Sequence, residues 1–301
     1  MIRNHFEKLR ISTSLLTLLR VFVTAFAGVC TLLITHHINQ KLGVEGFATY
    51  SQLVAISAII PISDLGSGNL VFNLIVNKTN PSLEDYKSVN SYFNITLAIS
   101  LILIFFILLL LPFMPNFPNS LLGIPKSMQV VALVIIIFTL LNIPFSIGSR
   151  ILFARQKFYL SLVLSLLISM ITCALIFFLP LKYNFLAIIP MGTMLFVNIA
   201  ICFILKFKAN YRFRVFITKD SLVKLLKMGF YSSTSAYLFN FLIHIPKFKL
   251  GSNLNSEEIG QYTMFTIFLV PFLGIIQFSV LPKIRNLREI NDKVQSTSER
   301  N

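Results

Sequence analysis

Among the ionisable side chains inside or at the ends of long uncharged runs of this sequence, Arg20, Asp64, Arg150, His244 and Lys247 stand out. In a bilayer such groups are costly, so they face a bundle interior, a water-filled cavity or a partner of opposite charge. Four of them belong to, or end, polar stripes at helical spacing. Thr13, Thr17, Arg20, Thr24, Gly28, Thr31 and Thr35 recur in steps of three and four, which places them on one helix face. Thr139, Asn142, Ser146 and Arg150 form a second stripe around Pro144, where a kink is expected. Ser233, Tyr237, Asn240, His244 and Lys247 form a third. Small hydroxyl residues alone are a routine way to pack helices. The stripes that carry Arg20, Arg150 or His244 point instead to the wall of a hydrated cavity. Asp64 is the one acid on a span. It is expected at the depth of Arg20 and Arg150, as a coupling group or as part of an ion-pair cluster that snorkels to the interface.

Patterns for covalent or hydrolytic chemistry are absent. The sequence has no phosphate-binding G-x-x-x-x-G-K-[ST], no zinc-binding H-E-x-x-H and no nucleophile elbow G-x-S-x-G. Ser221 and Lys224 match S-x-x-K by chance, without companion motifs. The acid pairs Glu84-Asp85 and Glu257-Glu258 are expected as solvated loop charge. His36 and His37 are neighbours, about 100° apart on a helix, which makes a poor chelate. Cys30, Cys173 and Cys202 lie in apolar runs without metal-ligand spacing and read as small buried hydrophobes. The expectation is no enzyme, no catalytic residue, no metal and no cofactor.

The elements that must position these residues follow from composition. The chain has 301 residues, 55% hydrophobic and 12% charged, with a mean hydropathy of +0.79. Soluble domains carry about 25% charged residues, so this chain cannot cover a water-facing surface. That excludes a cytosolic enzyme, a nucleic-acid reader and a disordered protein. Intervals free of Asp, Glu, Lys and Arg run over 21–40, 46–63, 88–125, 127–149, 158–181, 183–205, 228–246 and 259–282. Each is long enough to span, which gives eight helices. The first is expected to start near Leu15, and Pro112, Pro115 and Pro118 end the third. A cleaved leader is not expected, because Arg20 interrupts the apolar region before Ala25-Phe26-Ala27. With both termini in the cytoplasm, 21 Lys and Arg fall in cytoplasmic segments and 5 in outer ones. That asymmetry is the positive-inside pattern, and it accounts for the net charge of +15 without nucleic acid.

The division expected is a six-helix lobe over 1–205, a basic cytoplasmic loop over 206–227, two further helices over 228–282 and a cytoplasmic tail over 283–301. The loop carries seven basic residues and one acid, and reads as an amphipathic segment against anionic headgroups of membrane lipids. A weak repeat links Glu45-Gly46-Phe47-Ala48-Thr49-Tyr50 to Glu257-Glu258-Ile259-Gly260-Gln261-Tyr262 at an offset of 212. Each hexapeptide leads from an outer loop into the next span. Spans one and two are therefore expected to face spans seven and eight across an open cleft, related by an axis along the membrane normal.

Three stretches at this spacing carry a family resemblance: Leu42 to Tyr50, Asp64-Leu65-Gly66-Ser67-Gly68-Asn69, and Arg150 to Phe158. Together they resemble the Wzx-type polysaccharide flippases of the multidrug/oligosaccharidyl-lipid/polysaccharide exporter superfamily. The resemblance implies an all-α polytopic fold of two six-helix lobes around a central cavity. It implies export of an undecaprenyl-diphosphate-linked oligosaccharide, an O-antigen or capsule repeat unit, across the bacterial inner membrane by alternating access. Spans one, two, seven and eight would line the cavity, with Arg20 and more weakly Lys247 meeting the anionic carrier. Thr24, Thr31, Asn142, Arg150, Asn240 and His244 would complete the wall. Other polysaccharide-assembly proteins would be partners. The chain reaches only the eighth span, so a truncated, inactive flippase is one expectation. A non-transporting accessory membrane protein and a drug/cation antiporter of the same superfamily are the others.

Overall fold

The structure is a computed structural model that describes residues 13–60, 66–76, 82–113, 126–154, 158–179, 185–209, 217–229, 241–248 and 257–267, with single positions at 234, 238 and 269. Among them every regular element is helical. The helices are α1 (Thr13–Ile59), α2 (Ser67–Val76), α3 (Leu83–Leu110), α4 (Gln129–Ala154), α5 (Phe158–Phe178), α6 (Ile188–Ala209) and α7 (Lys219–Lys224), which runs on as a π turn over Leu225–Gly229. Two more, α8 (241–248) and α9 (257–267), follow. This is an all-α polytopic membrane fold. Val21–Ala58, Glu84–Leu110, Lys126–Leu152 and Ile188–Leu205 are each long and apolar enough to cross a bilayer.

Local chemistry sets the breaks. The first two expected spans are arms of α1, which bends at Gly43 with φ 68° and ψ −176°, a region essentially restricted to glycine. Helix α3 opens with a capping box: the Ser82 N–H donates to Asp85 Oδ2 at 2.8 Å, and the Asp85 N–H donates to Ser82 Oγ at 3.3 Å. It ends at Leu110, just before Pro112. The Glu84-Asp85 and Glu257-Glu258 pairs are therefore not loop charges. Both lie in helices; Glu84 and Asp85 occupy the first turn of α3, Asp85 is buried, and carboxylates there offset the unpaired N–H groups of the helix end.

A second correction concerns the segment after Asp64, expected to be a cytoplasmic connection. Helix α2 occupies it, with the apolar sequence SGNLVFNLIV and with Val71 and Ile75 buried. Asp64 interrupts the charge-free interval, but the apolar run resumes behind Gly66, and that run folds into the core.

The connections gather at two ends. At one, here the Gly43 end, Leu42, Glu45, Gly46, Thr49, Met128 and Ala187 line one cavity of about 280 Å³. Phe248 packs there on Leu53, Val131 and Ala187, and Ile38, Phe47, Ile176 and Leu186 share a neighbouring cluster. At the other, the Gly66 end, Val71, Val89, Ile151, Leu205 and Leu225 form one buried cluster. So α3, α4, α5 and α6 alternate in direction, as the charge pattern requires. Toward its C-terminal end α3 presents Leu101, Ile102, Phe105, Phe106, Leu108 and Leu109 outward, all exposed. In a chain of this composition that belt faces lipid.

The α1/α5 seam brings two native cysteines together. Cys30 is buried, and the Cys30 and Cys173 thiols are in hydrogen-bond contact. Higher on the same seam the His37 ring stacks on Phe177 with centroids 4.2 Å apart. A mild oxidant should therefore join Cys30 to Cys173 within one chain, read as a linked peptide pair by mass spectrometry without reductant. Cys173→Ser should abolish that pair, and linkage of either cysteine to Cys202 instead would contradict this packing.

Candidate functional site

The second arm of α1 meets α8 and α9 through a few named contacts. At the Gly43 end, Thr263 Oγ1 on α9 donates to Ser51 Oγ on the second arm of α1 at 3.0 Å, and both side chains are buried. One turn away, a Cβ built on Gly260 would lie 3.7 Å from Phe47 and 3.8 Å from Val44, so the helices already pack in van der Waals contact there. Beside this contact the Gln52 side-chain amide donates to the Lys247 carbonyl at 3.3 Å. The Tyr262 hydroxyl donates to the Ile243 carbonyl at 2.9 Å, tying α9 to α8.

This closure corrects the expectation of an open cleft between spans two and eight. At the Gly43 end they touch: Gly260 leaves room for Phe47 and Val44, and the small hydroxyl side chains of Ser51 and Thr263 meet directly. Such contacts are weak. Interhelical hydrogen bonds in membranes average about 0.6 kcal/mol, and no ion pair is among the contacts described at this seam.

Ser51 and Thr263 are 212 residues apart, the offset of the hexapeptide repeat. Extending the repeat by one residue beyond Tyr50 and Tyr262 pairs these two positions. A two-fold relation between the two segments would bring equivalent residues together on its axis, and the contact is compatible with such a repeat.

At the Gly66 end the contact is backbone on backbone. Gly66 has φ 74°, and a Cβ placed on it would overlap the Gly229 carbonyl at the end of the π turn. Helix α2 starts there, under the Arg150 side chain, whose Nε lies 3.0 Å from an ideal Cβ on Gly68. The three motif stretches Leu42–Tyr50, Asp64–Asn69 and Arg150–Phe158 thus supply the Gly43 bend, the Gly66 contact and the side chain above Gly68.

The fold that holds these contacts is found in a solved protein. The crystal structure of MATE in complex with MaD3S matches with a TM-score of 0.54 and 14% sequence identity, over 86% of this chain and 62% of that one. The fold is shared with MATE. This chain therefore spans about 62% of the length of the protein it resembles. No protein-family model matches the sequence, and no curated protein does.

Against this fold the candidate residues separate. Arg20 lies in α1, but its side chain falls outside the described residues, as do Asp64 and Asn240. Thr24 is half-buried, and Thr31 is exposed with its hydroxyl donated to the Ala27 carbonyl at 2.9 Å. Asn142 is buried between α4 and α6, where its Oδ1 accepts from Asn198 Nδ2 at 2.8 Å. Its stripe neighbours are also satisfied locally: Thr139 donates to the Ile135 carbonyl and Ser146 to the Ile143 carbonyl, both at 2.7 Å. Cys202 reinforces the same seam through the Phe145 carbonyl. Arg150 is exposed at the Gly66 end.

On α8 the picture differs. Lys247 is buried, 5% exposed, and His244 is half-buried one turn away. Among the described residues, His244 Nδ1 is buried with no hydrogen-bond partner. These two basic side chains lie on the helix that meets Gln52 of the first lobe. What such a pair can do chemically is accept an anion or a hydrogen-bonding group beside α1.

Proposed function

We propose that this chain is part of a membrane transporter that moves an undecaprenyl-diphosphate-linked oligosaccharide across the bacterial inner membrane by alternating access. The observation that carries the reading is the basic α8 pair, Lys247 buried and His244 with an unmet Nδ1, on the helix that Gln52 of α1 holds by its Lys247 carbonyl. A buried cation between lobes needs a counter-charge at some stage of a cycle, and a diphosphate supplies two. Arg20, on the Thr13–Thr35 stripe, adds the bidentate group that phosphate prefers. The motif resemblance selects the glycan-lipid cargo.

A drug/cation antiporter of the same superfamily would use carboxylates in place of these cations: Asp64, expected at the depth of Arg20, and Glu45, which lines the cavity at the Gly43 end, are the acids it would draw on. With the charge pattern setting both termini in the cytoplasm, the Gly43 end is the outer end, and the Ser51–Thr263 seam closes the path to the outside.

The test is export of lipid-linked glycan in flippase-deficient cells that express the chain, alone and joined to a complementary second lobe. Arg20→Ala should lower export about tenfold or more at unchanged protein level, the scale of a lost charge-assisted hydrogen bond. Arg20→Lys keeps the charge but loses the fork, and should fall between. Full export by Arg20→Ala would leave the residue an interfacial anchor.

A further inference from the structure

The helix that joins the two parts presents three distinct faces. Ser221, Leu225 and Gly229 point inward and are buried. Leu225 is fully buried among Val71, Ile75, Val89 and Tyr92. The Thr218 side chain caps the helix through the Ser221 N–H, and the Thr218 N–H donates to Ser91 Oγ on α3 at 3.0 Å. The segment is therefore fixed against the first lobe at the level of the third turn of α3. Beside the buried face lies an exposed apolar one. Leu222 is 38%, Val223 40% and Leu226 54% exposed. Lys224 and Lys227 stand beyond it and Lys219 at its N-terminal end, all exposed, with Asp220 the single acid.

We propose that α7 with its π turn is a docking surface for the bilayer itself, and for anionic phospholipid in particular. The order of faces decides the occupant. A purely solvated helix has no use for three exposed aliphatic residues in a row of turns beside its buried stripe. A soluble protein partner could cover them, but the site stands where the spanning helices already place the membrane, and three lysines flank the apolar strip. That is the arrangement of an interfacial helix: aliphatic side chains enter the acyl boundary while the lysine stems reach the phosphates. The same element ends at Gly229, which rests on Gly66. A lipid that holds α7 therefore also steadies the point where the second part of the chain departs from the first.

The experiment uses the full 301-residue chain in two nanodisc compositions, phosphatidylcholine alone and phosphatidylcholine mixed with phosphatidylglycerol. Amide hydrogen exchange is followed over 217–229. Anionic lipid should slow exchange in this segment by up to about a hundredfold, given roughly a fivefold contribution from each of the three lysines near an anionic surface, and high salt should reverse part of that change. Lys219→Gln/Lys224→Gln/Lys227→Gln should erase the dependence on phosphatidylglycerol. All three positions are exposed, so the fold should survive. Lys41→Gln at the Gly43 end should leave it intact. Equal exchange in both lipids overturns the proposal, and so does a triple variant that keeps the full phosphatidylglycerol effect. Protection that appears only on adding a soluble acidic protein overturns it in favour of that partner. None of these readouts depends on what the chain transports.

Discussion

Gly66→Ala is expected to be the most damaging single-methyl change in the described part of this protein, at about 3 kcal/mol or more of lost stability. Two costs add. The residue has φ 74°, where a side chain meets the following carbonyl. The space a Cβ would fill holds the Gly229 backbone, which cannot swing aside as a side chain does. Two neighbouring glycines grade the claim. Gly43→Ala carries conformational strain alone, about 1–3 kcal/mol, because nothing lies near its Cβ position. Gly68→Ala should be close to neutral. Its Cβ would meet only the flexible Arg150 side chain, and alanine gains up to about 1 kcal/mol over glycine in a helix. Thermal unfolding of the purified variants in detergent checks the order. If Gly66→Ala melts with Gly68→Ala, the glycine contact is looser than described.

Ser51→Cys/Thr263→Cys should form a disulfide on mild oxidation and stop transport, with recovery on reduction. The parent hydroxyls are 3.0 Å apart, so the two thiols would start within bonding reach. The background should carry serine in place of Cys30, Cys173 and Cys202, so that no native thiol competes. A covalent link replaces a contact worth about 0.6 kcal/mol by one that substrate binding cannot open, and a ligand shifts an equilibrium only by its differential affinity for the two states. Undiminished transport by the oxidised variant would mean that this seam stays closed throughout the cycle.

Much of the fold was legible in the charge-free intervals, because a bilayer demands long apolar helices and little else. The ends of α3, α4, α5 and α6 fall within a few residues of the intervals that announced them. Where the reading failed, a single charged residue misled it. Asp64 marked a boundary, yet the apolar segment behind it folds into the core as α2. The acid pairs looked like loop charge because sequence spacing does not distinguish a solvated carboxylate from the N3 residue of a capping box such as Asp85. The polar stripes were only half informative. Helical spacing correctly grouped Thr139, Asn142 and Ser146, but whether such a face meets water or another helix depends on the partner. Asn198, 56 residues further on, is that partner. The α8 residues stood out for the opposite reason: a lysine and a histidine on one apolar helix have few neutral uses.

The Ser51–Thr263 contact also limits what chemistry its position can tolerate. A lysine or aspartate at either position would be buried against a hydroxyl, with no opposite charge among the contacts described there to offset its desolvation. A hydroxyl both donates and accepts, so it satisfies itself when doubled. Serine on one side and threonine on the other are among the smallest polar residues that pass this test.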